Sequence, residues 1–120
     1  MRRAIGLARY RALTAAVLLL SGVATAADGP RRIEITAKRF SYSPSDVTVK
    51  KGEPVVLVFH SLDVAHGIKF KELNLQTEIH KDSDGVLSFT PTQTGDFIGH
   101  CSHFCGAGHG SMVLTLHVTE

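Results

Sequence analysis

Eight short apolar runs, separated by glycine, proline or polar turn residues, limit what this 120-residue chain can fold into. Ile33 and Ile35 alternate with charged residues in the first run, and β-branched residues dominate the run from Pro54 to Ser61. This periodicity is typical of β-strands, and no window has the spacing of a long amphipathic helix. We therefore predict an all-β, Greek-key β-sandwich with antiparallel strands. The predicted strand segments are RRIEITAKRF, DVTVKKGEP, PVVLVFHS, HGIKF, LQTEI, GVLSF, GDFIG and MVLTLHV.

The N-terminal segment has the features of a secretory signal peptide. Arginines come first, a mostly apolar run follows from Ala12 to Leu20, and small residues end at Ala26. The apolar run is shorter than the roughly 20 residues that span a bilayer. We predict a signal peptide at residues 1–26, one periplasmic domain at residues 27–120, and no stable membrane insertion. An uncleaved membrane anchor is the alternative.

Cleavage at this site would change the charge of the protein. Losing the four arginines of the signal peptide leaves nine Lys and Arg against eleven Asp and Glu, a net charge of −2. This charge argues against nucleic acid as a partner and permits a small basic protein.

The residues with the most distinctive chemistry lie in GHCSHFCGAGHGSM, residues 99–112, which holds both cysteines of the chain. A disulfide between Cys101 and Cys105 would suit an oxidising compartment, but it leaves the neighbouring histidines and methionine unexplained. Zinc would accept thiolates and imidazoles, but structural zinc ligands usually form two close pairs on separate segments. Thiolate, imidazole and thioether together favour copper. Copper is therefore the preferred interpretation, with a disulfide and zinc as alternatives.

A single copper ion would need one cysteine, a downstream histidine and methionine, and one upstream histidine. Cys105, His109 and Met112 meet the first three requirements, and His66 in DVAH is the upstream candidate if the sandwich brings it to the loop. The remaining histidines lie in strands, in polar segments or beside a cysteine. They are not predicted to be ligands: His60, His80, His100 and His117.

DVAH and CSHFCGAGHGSM together resemble the two halves of the dinuclear copper (CuA) site of cytochrome c oxidase subunit II. Its pattern is D-V-x-H followed by C-S-E-x-C-G-x-x-H-x-x-M, and the similarity covers residues 47–118. The resemblance implies a cupredoxin-like domain that binds two copper ions. It also implies six metal ligands: His66, Cys101, His103, Cys105, His109 and Met112.

The resemblance assigns a role to each ligand. Both cysteine sulfurs would bridge the two coppers, the histidines at positions 66 and 109 would each terminate one copper, and Met112 would be a weak axial ligand. His103 replaces the usual glutamate and would contribute its main-chain carbonyl, although its imidazole is a second possible donor. Phe104 and the loop glycines are expected to shield the thiolates from water.

Two departures from subunit II suggest a freestanding protein. Gly67 and Ile68 stand where that family usually has an aromatic residue, and paired transmembrane helices are absent from the sequence. We predict an electron carrier that exchanges single electrons with a periplasmic redox protein such as a c-type cytochrome. The alternatives are a protein that stores Cu(I) or delivers it to a copper-accepting protein, and a mononuclear type 1 copper carrier. Catalysis is disfavoured because no nucleophile and base pair is recognisable.

Overall fold

The computed structural model describes residues 29–120, which form two packed β-sheets. The strands are β1 (Arg31–Lys38), β2 (Ser41–Ser43), β3 (Asp46–Lys50), β4 (Val55–Ser61), β5 (His66–Phe70), β6 (Leu75–Ile79), β7 (Gly85–Phe89), β8 (Gly95–His100) and β9 (Val113–Thr119). One sheet has the order β2-β1-β4-β7, and the other has the order β3-β9-β8-β5-β6. Single 3₁₀ turns lie at Lys71–Leu73 and His109–Ser111. The predicted signal peptide lies outside the described residues.

The predicted all-β sandwich is confirmed, but the predicted pairing is wrong in part. β1 pairs parallel with β4, and β3 pairs parallel with β9, so both sheets are mixed. The short strand β2 was not among the predicted segments and pairs with β1. Side chains alternate between the two faces of a strand whichever way its neighbour runs, so the sequence pattern does not reveal strand direction.

The core lies between the sheets and consists of inward-facing side chains. Ile35, Leu57, Phe59 and Leu116 are completely buried, each at an alternating position of its strand. Burying a side chain of this size contributes about 1.5–3 kcal/mol to stability. The same core cluster extends into the loop after β8, where it includes both cysteines and Met112.

The sheet topology brings the two sequence motifs to one end of the sandwich. β8 ends at His100 and β9 begins at Val113, so residues 101–112 form the connecting loop. A hydrogen bond of 3.1 Å from the Cys101 N–H to the Met112 carbonyl closes the base of this loop. β5, which begins at His66, lies beside β8 in the same sheet. The fold therefore places DVAH next to the cysteine loop.

A histidine on β9 links this strand to both of its neighbours in the five-stranded sheet. His117 on β9 contacts Asp46 of β3 through Nε2 at 2.9 Å and Asp96 of β8 through Nδ1 at 2.6 Å. Hydrogen bonds to Asp46 and Asp96 raise the pKa of His117 above its ordinary value. The folded protein therefore binds the imidazolium proton of His117 more tightly than the unfolded chain does.

This arrangement predicts that the stability of the protein falls as the pH rises. The contribution of His117 is fully present below the ordinary histidine pKa of about 6.5. It is lost as the pH rises through the elevated pKa of the folded state. We expect His117→Gln to flatten this pH dependence in urea unfolding at a series of pH values. His100→Gln is the control, because His100 is exposed and bonds to no carboxylate among residues 29–120; an equal flattening there would contradict the assignment.

Candidate metal centre

The two cysteines lie side by side in the buried part of the loop. Their side chains are each 6% exposed, and their sulfurs are 3.8 Å apart. A disulfide bond is about 2.05 Å long, so both residues are free thiols in this structure. A ring nitrogen of His66 and the two sulfurs all lie within 4.8 Å of one another. Three of the six predicted ligands therefore converge at one buried point.

The orientation of His66 is fixed by a carboxylate. Its Nε2 lies 2.7 Å from Asp63 Oδ1, and the imidazole is completely buried. Burial opposes ionisation of Asp63, but hydrogen bonds from the Arg39 N–H, His66 and the Val64 N–H outweigh it and lower the pKa of Asp63 to about 2. Asp63 is thus a carboxylate at neutral pH and accepts the Nε2 proton, which leaves a lone pair on Nδ1.

Nδ1 of His66 is a buried polar atom with no partner. It is the sole buried side-chain nitrogen or oxygen in the described part of the chain that makes no hydrogen bond. Such atoms are rare in folded proteins because an unsatisfied buried acceptor costs about 1–3 kcal/mol. A metal ion bound through this nitrogen would satisfy it. A carboxylate that holds the other nitrogen is the usual support for a metal-binding histidine.

His109 and Met112 approach the second cysteine. Cys105 Sγ lies 3.9 Å from His109 Nδ1 and 3.9 Å from Met112 Sδ. Met112 is completely buried, whereas His109 is half-buried at the start of a 3₁₀ turn. Because metal bonds to sulfur and imidazole are about 2.0–2.3 Å long, donors at this separation can share one ion after small adjustments.

His103 presents its carbonyl to the cysteines. The main-chain oxygen of His103 is 3.1 Å from Cys101 Sγ. The residue is half-buried and lines an open pocket of about 380 Å³, together with Ala65, Phe104 and Cys105. The structure therefore brings five predicted side chains and the His103 carbonyl together.

The surroundings of Cys105 favour the protonated form of its thiol. Burial, together with the neighbouring Cys101, raises the pKa of Cys105 to about 11. Burial and the nearby Cys101 also raise the pKa of Tyr42 well above its usual range, and its hydroxyl donates to the Gly67 carbonyl at 2.6 Å. A metal ion would therefore have to displace the Cys105 proton on binding.

Phe104 does not shield the thiolates as expected. Its side chain is 76% exposed, and its ring tilts against the His109 ring with 5.6 Å between centroids. Phe40 lies over the loop glycines instead and approaches the backbone of Gly106 and Gly108. The role of Phe40 was not predicted, because this residue is more than 60 positions away from the loop in the sequence. Asp63 was visible as the first residue of DVAH, three positions before His66, although its role was not assigned.

The histidines that were not predicted as ligands lie away from the centre or at its surface. His60 contacts Asp84 at 2.8 Å, His80 contacts Glu78 at 3.1 Å, and His117 is held between two aspartates as described above. His100 is exposed on the last position of β8.

An all-β sandwich with a buried set of cysteine, histidine and methionine donors at one end belongs to the class of β-sandwich metal-binding domains. The sequence model of the cupredoxin-like domain matches residues 11–114. The chain belongs to this cupredoxin-like family, whose membership implies copper binding, and the donor set fits that metal.

Curated relatives are similar to this chain over most of its length. Two sequences of cytochrome c oxidase subunit 2 from Thermus thermophilus are 29% identical to this chain over 94 residues, or 77% of its length. The chain spans 70% of one of these subunits and 56% of the other. The domain is thus homologous to the CuA domain of oxidase subunit II.

Two solved structures show the same fold. The periplasmic domain of cytochrome oxidase subunit II from Bradyrhizobium japonicum superposes with a TM-score of 0.70 and 16% identity, over 80% of this chain and 88% of that one. The metal-binding domain of a Cu(I)-exporting P-type ATPase from Streptococcus pneumoniae gives a TM-score of 0.66 and 25% identity, over 80% and 92% of the two chains. No helix among residues 29–120 is long and apolar enough to cross a membrane.

Proposed function

We propose that this protein is a periplasmic electron carrier with a CuA-like dinuclear copper centre. The observation that carries the proposal is the unpartnered Nδ1 of buried His66 beside two free sulfurs 3.8 Å apart. Homology to oxidase subunit II supports two coppers, because that family's ligand pattern recurs here with full spacing. We also propose that residues 1–26 are removed on export, leaving residues 27–120 as the mature domain.

The proposed ligands fall into three groups. Cys101 and Cys105 would hold both ions through shared sulfurs. His66 would terminate one copper, while His109 and Met112, both near Cys105 Sγ, would complete the other. The carbonyl of His103 lies near Cys101 Sγ and would be the remaining donor.

This arrangement suits electron exchange because the surrounding protein holds its donors in place. Bound copper would supply reversible one-electron chemistry at this site. Met112 is locked in the core, Asp63 fixes the His66 ring, and the Cys101–Met112 hydrogen bond fixes the base of the loop. Donors that move little between two oxidation states keep the reorganisation cost of electron transfer low. The partner would be a periplasmic redox protein such as a c-type cytochrome.

The copper content of the purified protein tests this proposal. We expect two coppers per chain, a purple colour, and an electron paramagnetic resonance spectrum of the oxidised protein in which two copper nuclei share one unpaired electron. Metal analysis and the hyperfine pattern measure both properties. One copper per chain with the four-line hyperfine pattern of type 1 copper would reject the dinuclear centre and leave a mononuclear carrier.

Delivery of Cu(I) is the second candidate function, and the His103 side chain favours it. His103 lines the open pocket beside Cys105, where its imidazole could contact copper on its way out. The similar ATPase domain from S. pneumoniae was solved with Cu(I). A donor of this kind would lose copper to an acceptor protein, whereas an electron carrier would retain it.

His103→Glu distinguishes the two candidates. If His103 contributes only its carbonyl, this variant should keep the copper content and the optical and paramagnetic spectra of the wild type, since the main-chain oxygen remains. An electron carrier should also keep its rate of electron exchange. A changed hyperfine pattern combined with slower transfer of copper to a metal-free acceptor would contradict both the carbonyl assignment and the electron carrier.

A further inference from the structure

The chain between β1 and β2 contacts both of the segments that bear the predicted ligands. The Arg39 N–H donates to Asp63 Oδ2 at 2.8 Å, and Asp63 in turn orients His66. The Arg39 side chain donates from Nε to the Cys105 carbonyl at 3.0 Å. One residue therefore links the carboxylate behind the upstream histidine to the backbone of the second cysteine.

The next residue packs on the far half of the loop. A methyl group added at Gly106 would lie 3.0 Å from the Phe40 ring, and one added at Gly108 would lie 2.5 Å from it. Real Cβ atoms essentially never come as close to another atom as the methyl at Gly108 would, and the contact at Gly106 would also be unusually tight, so the ring packs directly on the glycine backbone. Phe40 is 37% exposed and covers this part of the loop from the solvent side.

We propose that Arg39 and Phe40 form a clasp that positions the metal-binding loop against the His66 segment and so sets the geometry of the copper centre. This inference rests on the proposed function. Both residues act through others: Arg39 through Asp63 and Cys105, and Phe40 through the glycines at positions 106 and 108.

The loop needs such a clasp because its sequence gives it little stiffness. Three glycines lie between Cys105 and Met112, and glycine loses more conformational freedom on ordering than any other residue. The hydrogen bond between Cys101 and Met112 fixes only the base of the loop. Arg39 and Phe40 hold the part around Cys105 and Gly108, so that the entropy of ordering it is lost during folding and not during metal binding.

Arg39→Ala tests the hydrogen-bonding half of the clasp. A hydrogen bond from a charged donor to a backbone carbonyl is among the stronger ones in proteins, so we expect amide hydrogen exchange at residues 105–109 of the metal-free protein to accelerate about tenfold. The copper-loaded variant should show an altered hyperfine pattern and a shifted reduction potential. Lys38→Ala is the control: it removes an equal charge from the exposed neighbouring residue and should change none of these quantities.

Gly108→Ala tests the packing half without changing any charge. Gly108 has a φ of −89°, outside the left-handed region that favours glycine, and the nearest atoms that an added methyl would meet all belong to the Phe40 ring. We expect the same faster exchange and altered spectrum. Gly110→Ala is the matched control, because a methyl group there meets no atom within 4 Å. Adding Phe40→Ala to Gly108→Ala should remove the collision without restoring the wild-type protection of the loop.

The readouts separate this inference from the proposed function. Hydrogen exchange in the metal-free protein reports on the clasp whether the wild type binds one copper or two. Wild-type exchange in Arg39→Ala and in Gly108→Ala, with an unchanged spectrum, would overturn the clasp even if the wild type holds two coppers. If Arg39→Ala fails to fold, Gly108→Ala alone decides: faster exchange than in Gly110→Ala supports the clasp, and equal exchange overturns it.

Discussion

Cys101→Ser is expected to reduce the proposed two coppers per chain to one. A serine hydroxyl stays protonated at neutral pH and is a poor donor for copper, so it cannot replace a bridging thiolate. Cys105 would remain, with His109 and Met112 each 3.9 Å from its sulfur, and would bind one ion. Metal analysis should show half of the wild-type copper, and the hyperfine pattern should become that of an electron on one nucleus.

The two cysteines should differ in this experiment. Cys105→Ser removes the thiolate that lies near both His109 and Met112, so we expect it to lose copper more completely than Cys101→Ser does. Ser102→Ala is the control, since Ser102 is exposed and lies in the same loop. A Cys101→Ser protein with two coppers and the wild-type spectrum would show that Cys101 is no bridge.

Much of the fold follows from the sequence because alternation reports directly on burial. The buried positions of β3, Val47 and Val49, and the apolar run of β4 are both visible in the sequence. The direction of pairing between β1 and β4 depends instead on how the chain crosses between the sheets, which local periodicity does not encode. The strand β2 is only three residues long, too short for periodicity to be detected.

The candidate site likewise contains some residues that the sequence predicted and others that it did not. Cys105, His109 and Met112 lie close together in the sequence, so their spacing predicted one site, whereas the place of Cys101 in it came from the resemblance to subunit II. His66 required the second motif, because sheet topology brings it to the loop. Arg39 and Phe40 carry no recognisable pattern, and their contacts with the loop arise from the packing of segments more than 60 residues apart. Phe104 was misjudged for a related reason: proximity to a ligand in the sequence does not determine whether a side chain turns inward.

His66→Ala is expected to weaken the binding of one copper by more than about 10-fold. Loss of a residue that merely supports a metal ligand costs about 10–100-fold in affinity, and loss of the ligand itself should cost no less. The change also removes a buried nitrogen that has no hydrogen-bond partner, so folding of the metal-free protein should suffer less than it does after truncation of an apolar core residue. Copper titration and urea unfolding of the metal-free protein measure the two effects separately.

Rescue by added imidazole distinguishes a lost ligand from a damaged fold. Alanine leaves space where the buried ring stood, and free imidazole can enter it, hydrogen-bond to Asp63 and offer its second nitrogen to copper. We expect imidazole to restore copper content and much of the wild-type spectrum in His66→Ala. His60→Ala is the control, because that ring lies on β4 against Asp84 and outside the site. Two tightly held coppers in His66→Ala without imidazole would exclude His66 as a ligand, and His109 would then be the one imidazole among the proposed side-chain donors.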